Sequence, residues 1–319
     1  MQPRTSILDL FPVELLTMIK EQIPQSDLRT HVFYYMSFPS ITSSLYGNLE
    51  EEEKFWETVC VQAGLGLLPG ETIDPQSVSW RKVAFECISY EGLCDHPACG
   101  QELLDANADY MYYQIDDDLH DISRNAFFQV IPDGPDLHSA GTVINEVLGF
   151  MQFHDRKPLG DEVRPPTKDI FMYYSDREEQ DPPRQLLRYH PVAARSFACF
   201  PPARRLLIDG PVKDNFIPVE NAYGVTVWDV YSALQSRLED EMSVKHLQKL
   251  LDENKFTDVF PTGCSVPKLL RSLTTFRQFL SFYRIKGMEF IDWQEDGLYI
   301  FPTFEPVRSA DPTSEKGVY

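Results

Sequence analysis

The sequence has few basic residues for its length. Lys and Arg together number 29 among 319 residues, against 49 Asp and Glu, and the formal net charge is −20 at pH 7. A nucleic-acid interface needs clustered Lys and Arg to neutralise phosphates, so this composition argues against nucleic-acid binding. The charge instead suits solubility or a basic partner.

Long apolar runs are missing as well. No run reaches the roughly 20 residues of a membrane-spanning helix, so we expect no membrane insertion. The N-terminus carries Arg4 but no apolar core of the secretory type, which predicts an intracellular protein of the cytoplasm or nucleus. In such a chain, six cysteines predict reduced thiols or metal ligands rather than a disulfide framework.

The motifs of common catalytic chemistry are also absent. The sequence contains no nucleophile elbow, phosphate-binding loop, zincin helix or dinucleotide fingerprint. Cys199 has aromatic neighbours and is expected to be an inert packed thiol, and His190, before a proline, is expected to be structural. We therefore expect no enzymatic activity. An enzyme with an unrecognised site near His190 or Asp209 is the alternative.

The first forty residues predict two short helices. Pro12 suits the first turn of a helix that Asp9 caps, and Pro24 ends that helix because the residue before a proline avoids the α region. Ser26 or Asp27 then caps the second helix. The first helix has an apolar face with helical spacing, formed by Leu15, Leu16, Met18, Ile19 and Ile23. Two such helices cannot bury this surface on each other, so the excess needs the rest of the chain or a second protein.

The order Phe11-Pro12-Val13-Glu14-Leu15-Leu16, then Pro24 and Asp27-Leu28, resembles an F-box over roughly residues 8–45, so residues 1–45 are expected to form an F-box-like helical region. This resemblance implies a substrate-recognition adaptor for ubiquitin-dependent protein degradation. It would bind a Skp-type adaptor protein, and through it a cullin–RING ligase, and would hold an unknown protein target. The implied partner-binding residues are Leu10, Phe11, Pro12, Leu15, Leu16, Ile19 and Leu28. A non-ligase interaction scaffold, with the two helices packed on their own chain, is the alternative.

Residues 46–180 are predicted to form a helical connector and a middle region. Phe55–Ala63 and Trp80–Ser89 have the spacing of amphipathic helices, and the acidic run Glu50–Glu53 is expected to be a solvated helix start. The tyrosine-rich stretch Tyr110–Ile115 is expected to be a strand. Val143–Gln152 is apolar and is expected to be a strand or a short helix.

Residues 181–305 are predicted to form an α+β unit after a boundary near Asp181, and residues 306–319 a disordered tail. Arg204–Asp209 has the pattern of a strand, and Gly224–Val227 is expected to be a strand leading into a helix that Thr226 and Asp229 cap. Two apolar runs around Glu295-Asp296-Gly297 predict a hairpin. The fold class is thus α+β, with an N-terminal helical hairpin and connector and a small antiparallel sheet near the C-terminus.

The region 189–304 is similar to a domain common in mushroom-forming fungi whose biochemical role is uncharacterised. The similarity rests on His190-Pro191, on the strand near Ile208, on the segment from Gly224 to Leu234 and on the hairpin with Trp293. Together with the N-terminal motif, it makes the chain resemble a fungal F-box protein. We expect Trp228 to be buried where its helix meets the sheet, so that Trp228→Ala would cost about 3–5 kcal/mol.

One group of residues has the chemistry of a metal site. Zinc prefers four thiolate or imidazole ligands, and Cys87, Cys94, His96 and Cys99 supply them within a short stretch beside glycines. The spacing differs from that of common zinc folds. The sequence therefore leaves two interpretations open, a structural zinc site or a buried Cys87 with unrelated thiols in a turn.

Overall fold

The computed structural model describes residues 11–73, 78–91, 100–113, 142–151, 187, 190–210, 212, 216–244, 246–247, 274–280, 283–294 and 297–306. The α-helices with full bounds in these ranges are α1 (Val13–Gln22), α2 (Leu28–Ser37), α3 (Thr42–Tyr46), α4 (Leu49–Gln62), α5 (Trp80–Glu91), α6 (Gln101–Tyr113), α7 (Pro191–Arg195), α8 (Val227–Ser236) and α9 (Phe276–Leu280). A 3-10 helix spans Glu146–Phe150. The strands are β1 (Val143–Ile144), β2 (Cys199–Phe200), β3 (Arg205–Asp209), β4 (Phe216–Glu220), β5 (Tyr283–Gln294) and β6 (Gly297–Pro306). The α+β prediction is confirmed.

Local capping signals fix the starts of several helices. The Asp27 carboxylate accepts the Thr30 N–H at 3.0 Å, so Asp27 rather than Ser26 caps α2. Asn48 and Glu51 form a capping box at the start of α4, which makes the acidic run a helix start as predicted. Pro12 lies one position earlier than expected, as the N-cap of α1, where its carbonyl accepts the Leu15 N–H at 3.1 Å.

The larger sheet has the strand order β4-β3-β6-β5. Strands β5 and β6 form the predicted antiparallel hairpin, with Gln294 paired to Gly297 at its closed end. Strand β3 pairs antiparallel with β4 and parallel with β6, so it lies between β4 and the hairpin. The three central residues of β3, Leu206, Leu207 and Ile208, are all buried, and only the end residues Arg205 and Asp209 are exposed, so both faces of the strand are covered at its middle.

The segment from α7 through β2 joins the helical and sheet regions. Strand β1 pairs antiparallel with β2, so elements on either side of the expected boundary near Asp181 share a two-stranded sheet. Ser196 also forms an isolated antiparallel β-bridge with Leu65, and Phe197 forms one with Thr226. One hydrophobic core cluster includes buried residues from α1 to β6. The helices and the large sheet are therefore packed together through this segment.

Two secondary-structure predictions are wrong over the described residues. Tyr110, expected in a strand, lies in α6, because Leu103, Leu104 and Met111 continue a helical spacing of buried residues up to Tyr113. The expected strand at Gly224–Val227 is limited to a single bridge at Thr226, and α8 begins at once with Val227. The stretch Val143–Gln152 contains both a short strand and a 3-10 helix.

Several predictions fall outside the described residues. They concern Asp9, Leu10, the boundary at Asp181 itself and the tail at 307–319. Among the helices that the structure describes, none combines the length and the apolar character needed to cross a membrane.

Candidate protein-interaction site

Helix α1 exposes a row of large apolar side chains. The exposed fractions are 45% for Phe11, 44% for Leu15, 60% for Met18 and 47% for Ile19. These residues recur at spacings of three and four, which places Leu15, Met18 and Ile19 on one side of the helix beside Phe11. We call these four residues the α1 apolar surface. Pro12, at the start of the same helix, is exposed as well.

The opposite side of α1 is fixed to the rest of the chain. Leu16 is buried in the core, and its carbonyl accepts a hydrogen bond from the Tyr34 hydroxyl at 2.6 Å. The Lys20 ammonium donates to the Leu45 carbonyl at 2.5 Å and lies 4.3 Å from the centroid of the Tyr46 ring. Burial lowers the pKa of Lys20. The α1 apolar surface therefore belongs to a helix that is already anchored through its other side.

Helix α2 divides its apolar residues in the same way. Leu28 and Val32 are buried, whereas Phe33 and Met36 are exposed. His31 is buried beside Leu28, where its Nε2 donates to the Pro24 carbonyl at 3.1 Å. Burial lowers the pKa of His31 to about 4, so this imidazole is neutral at neutral pH.

The implied partner-binding residues thus fall into two groups. Phe11, Pro12, Leu15 and Ile19 are exposed, and Leu10 lies outside the described residues. Leu16 and Leu28 are buried in the core, so in this conformation their side chains are not accessible from solvent. Sequence reasoning had not assigned Met18, Phe33 and Met36 to the interaction surface, although their apolar character and spacing were visible.

A buried aromatic cluster holds this part of the chain in place. The Trp56 ring of α4 packs against Tyr35 of α2 at 5.5 Å, Tyr46 of α3 at 6.0 Å and Phe85 of α5 at 5.8 Å between ring centroids. Arg81 adds a polar link, donating to the Tyr35 hydroxyl at 2.8 Å and to Glu52 at 2.9 Å. The α1 and α2 helices are therefore presented on a packed base.

The proposed zinc ligands are only partly covered by the structure. Cys87 is buried on α5, and Cys94, His96 and Cys99 lie outside the described residues. Within the ranges that are described, no three His, Cys, Asp or Glu residues are grouped as metal ligands. The zinc site stays a prediction.

We expect purified protein, prepared without a metal-affinity step, to contain near-equimolar zinc by elemental analysis. Replacing Cys99 by Ser should lower this content because a tetrahedral site would lose one of its four ligands. Matched Cys199→Ser protein should keep its zinc, since Cys199 is not in the proposed set. Zinc-free wild-type protein would contradict the prediction.

Of the residues considered for catalysis, Cys199 and His190 are buried and Asp209 is exposed. Burial raises the pKa of the Cys199 thiol to about 12, which disfavours the nucleophilic thiolate. His190 is buried at the N-cap position of α7, where its carbonyl accepts the Ala194 N–H at 2.8 Å. Asp209 is exposed at the end of β3.

Trp228 is half-buried rather than buried, which corrects the prediction made from the sequence. Its helix start is nevertheless as predicted, because Thr226 and Asp229 form a capping box. The neighbouring Val227, Val230 and Tyr231 are buried and fix α8 to the core. Trp228 lies at the edge of this packing, and part of its side chain is exposed.

A cavity of about 310 Å³ lies between the turn that joins α1 to α2 and one side of α6. Neither His190 nor Asp209 is among its lining residues. Its lining residues come from the α1–α2 turn and the start of α2 on one side and from α6 on the other.

Comparison with known proteins gives no relative: no protein family, curated protein or solved structure matches this chain.

Proposed function

We propose that the chain is the substrate-recognition adaptor of a Skp–cullin–F-box ubiquitin ligase and binds its Skp-type partner through the α1 apolar surface. The observation that carries this proposal is the exposure of Phe11, Leu15, Met18 and Ile19 on one side of an otherwise anchored helix. Grouped exposed apolar side chains are typical of protein-interaction sites.

The packing of α1 also argues against the alternative in which the helix pair is covered by its own chain. Leu16 and Lys20 already attach α1 to the body of the protein, and Leu15 and Ile19 still face solvent. A partner with an apolar groove could bury these side chains in the way that amphipathic helices are commonly recognised.

The proposed mechanism is proximity. An adaptor that holds a target beside a ligase raises the local concentration of the reacting groups, so ubiquitin transfer requires no covalent chemistry from its own residues. The sheet region and α8 would then carry the target. A non-ligase scaffold remains the competing function, and it differs in having no affinity for a Skp-type protein.

We expect wild-type chain and a purified Skp-type adaptor to associate with micromolar or tighter affinity in isothermal titration calorimetry. The double variant Leu15→Ala with Ile19→Ala should weaken this binding by about 3 kcal/mol, roughly a hundredfold, because two interface anchors lose their apolar contacts. Both side chains are nearly half exposed, so the melting temperature should change little.

Leu49→Ala provides the matched control, since Leu49 is 81% exposed at the start of α4 and does not belong to the α1 apolar surface. This variant should bind the adaptor like wild type. Absence of wild-type binding would refute the proposed function, and equal losses in the control would refute the assignment to α1.

A further inference from the structure

His31 is a buried histidine on the inner side of α2, next to the apolar Leu28 and Val32. Because its Nε2 donates to the Pro24 carbonyl at 3.1 Å, the other ring nitrogen, Nδ1, carries no proton in the neutral form. Nδ1 is buried and has no hydrogen-bond partner within the described part of the chain. The site therefore fits the neutral imidazole, whereas a proton on Nδ1 would create a buried N–H without an acceptor.

The Phe55 ring of α4 is the contact through which both helices of the pair reach α4. The His31 ring packs edge-on against it, with 5.1 Å between the centroids and 81° between the planes. The Lys20 ammonium of α1 lies 4.8 Å from the same Phe55 centroid. Protonation of His31 would thus place a second positive charge beside this ring, in a partly buried site where charges repel more strongly than in water.

Other charged groups lie near α2 on the elements that pack around it. Arg81 of α5 and Glu52 of α4 form an ion pair at 2.9 Å beside the next turn of α2. On α6, Asp105 and Asp109 line the cavity that Arg29 of α2 also lines. In each of these places the positive and negative charges lie close to one another.

Asp27 and Lys20 are the charged groups that act on the His31 imidazole. Burial is the largest effect, and with the charge of Lys20 it outweighs the Pro24 hydrogen bond and the attraction of Asp27, so the pKa of His31 falls to about 4. In an opened helix pair this histidine would return to its ordinary pKa of about 6.5. Protons therefore bind the opened form more tightly than the closed form.

We propose that protonation of His31 detaches the α1–α2 helix pair from α4, so that acidification weakens the attachment of the helix that carries the α1 apolar surface. Above a pH of about 6.5 the histidine is neutral in both forms, and the opening equilibrium does not depend on pH. As the pH falls below this value, the opening equilibrium constant rises about tenfold per pH unit until the closed form also binds the proton. This switch goes beyond the proposed function, because it acts on α1 whichever protein binds there.

Hydrogen exchange of the full-length chain, read by mass spectrometry in the peptides that cover α1 and α2, tests the proposal. The rates are divided by the intrinsic exchange rate at each pH, so that they report the opening equilibrium. Between pH 7 and pH 5 the opening of these two helices should increase on the order of twentyfold in the wild-type chain. Opening that stays constant over this range would overturn the proposal.

His31→Gln is the matched variant, because glutamine can still donate to the Pro24 carbonyl but does not titrate. Its opening should change less than about twofold over the same pH range, and a dependence equal to that of wild type would contradict the assignment to His31. An NMR titration of the wild-type His31 ring, identified by its contact with Phe55, needs no variant. It should give a midpoint near 4, and a midpoint near the ordinary value would also overturn the proposal. Neither measurement uses the Skp-type adaptor, so failure here is distinguishable from failure of the proposed function.

Discussion

The Glu71→Gln variant is expected to lose about 3 kcal/mol of folding free energy, since the buried Arg195 guanidinium then keeps only the more exposed Glu86 as a charged partner. The Glu71 carboxylate accepts two hydrogen bonds from the Arg195 guanidinium, at 2.7 and 2.9 Å. The Arg195 side chain is only 4% exposed. Equilibrium unfolding in urea, followed by circular dichroism, measures the loss.

Glu86→Gln is the matched control, because Glu86 contacts the same guanidinium at 3.1 Å but is 47% exposed. Its loss should be at most about 1 kcal/mol, as for other solvent-screened ion pairs. Similar losses in both variants would show that the two hydrogen bonds between Arg195 and Glu71 stabilise the fold no more than the contact between Arg195 and Glu86.

The same pair predicts a dependence of stability on pH. Burial alone would raise the pKa of Glu71, but the hydrogen bond and charge of Arg195 outweigh it and hold the pKa below its ordinary value. The stabilisation is thus present above the unfolded-state value of about 4.3 and is lost as the pH falls through the lower folded-state pKa. Glu71→Gln should therefore flatten the acid limb of the stability profile, and an unchanged limb would contradict this assignment.

Trp56→Ala is expected to cost about 3–5 kcal/mol, because removal of a buried aromatic ring leaves a cavity. The Trp56 side chain is fully buried and contacts Tyr35, Tyr46, Phe55 and Phe85. Since Tyr35 belongs to α2, adaptor binding should weaken as well, although Trp56 itself is inaccessible. Thermal unfolding and calorimetry with the adaptor measure the two effects.

The Trp228→Ala variant serves as the comparison for the Trp56→Ala variant. Trp228 is half-buried, and its ring contacts Tyr231 at 5.6 Å between centroids. Its loss should be about 1–2 kcal/mol, because a partly exposed side chain leaves a smaller cavity. This value replaces the larger cost expected from the sequence. If Trp228→Ala were as destabilising as Trp56→Ala, burial would not be the deciding factor.

Features with local signals could be predicted from the sequence. The capping box of Thr226 and Asp229 and the β5–β6 hairpin depend on residues close together in the chain. The amphipathic helix predicted over Trp80–Ser89 is α5, and Trp80, Val83, Ala84, Cys87 and Ile88 along it are buried.

Features that depend on distant residues could not be predicted in this way. Glu71 and Arg195 are 124 positions apart, and neither sequence neighbourhood indicates the other. The same limit applies to the candidate site. Leu15 and Leu16 are adjacent and chemically identical. The contacts that attach α1 to the rest of the chain, such as the hydrogen bonds with the Tyr34 hydroxyl and the Leu45 carbonyl, decide that Leu16 is buried and Leu15 exposed.

The backbone hydrogen bonds between the residues that follow α4 and the residues around the end of α7 also determine when folding can be completed during synthesis. The Gly66 N–H donates to the Arg195 carbonyl at 2.8 Å, and the Phe197 N–H donates to the Gly64 carbonyl at 2.9 Å. A ribosome must therefore synthesise the chain through Phe197 before these backbone groups of the N-terminal half find their partners. Until then the nascent chain exposes Leu65 and Leu67, which are buried in the folded protein, and this is the interval in which a chaperone would have most to bind.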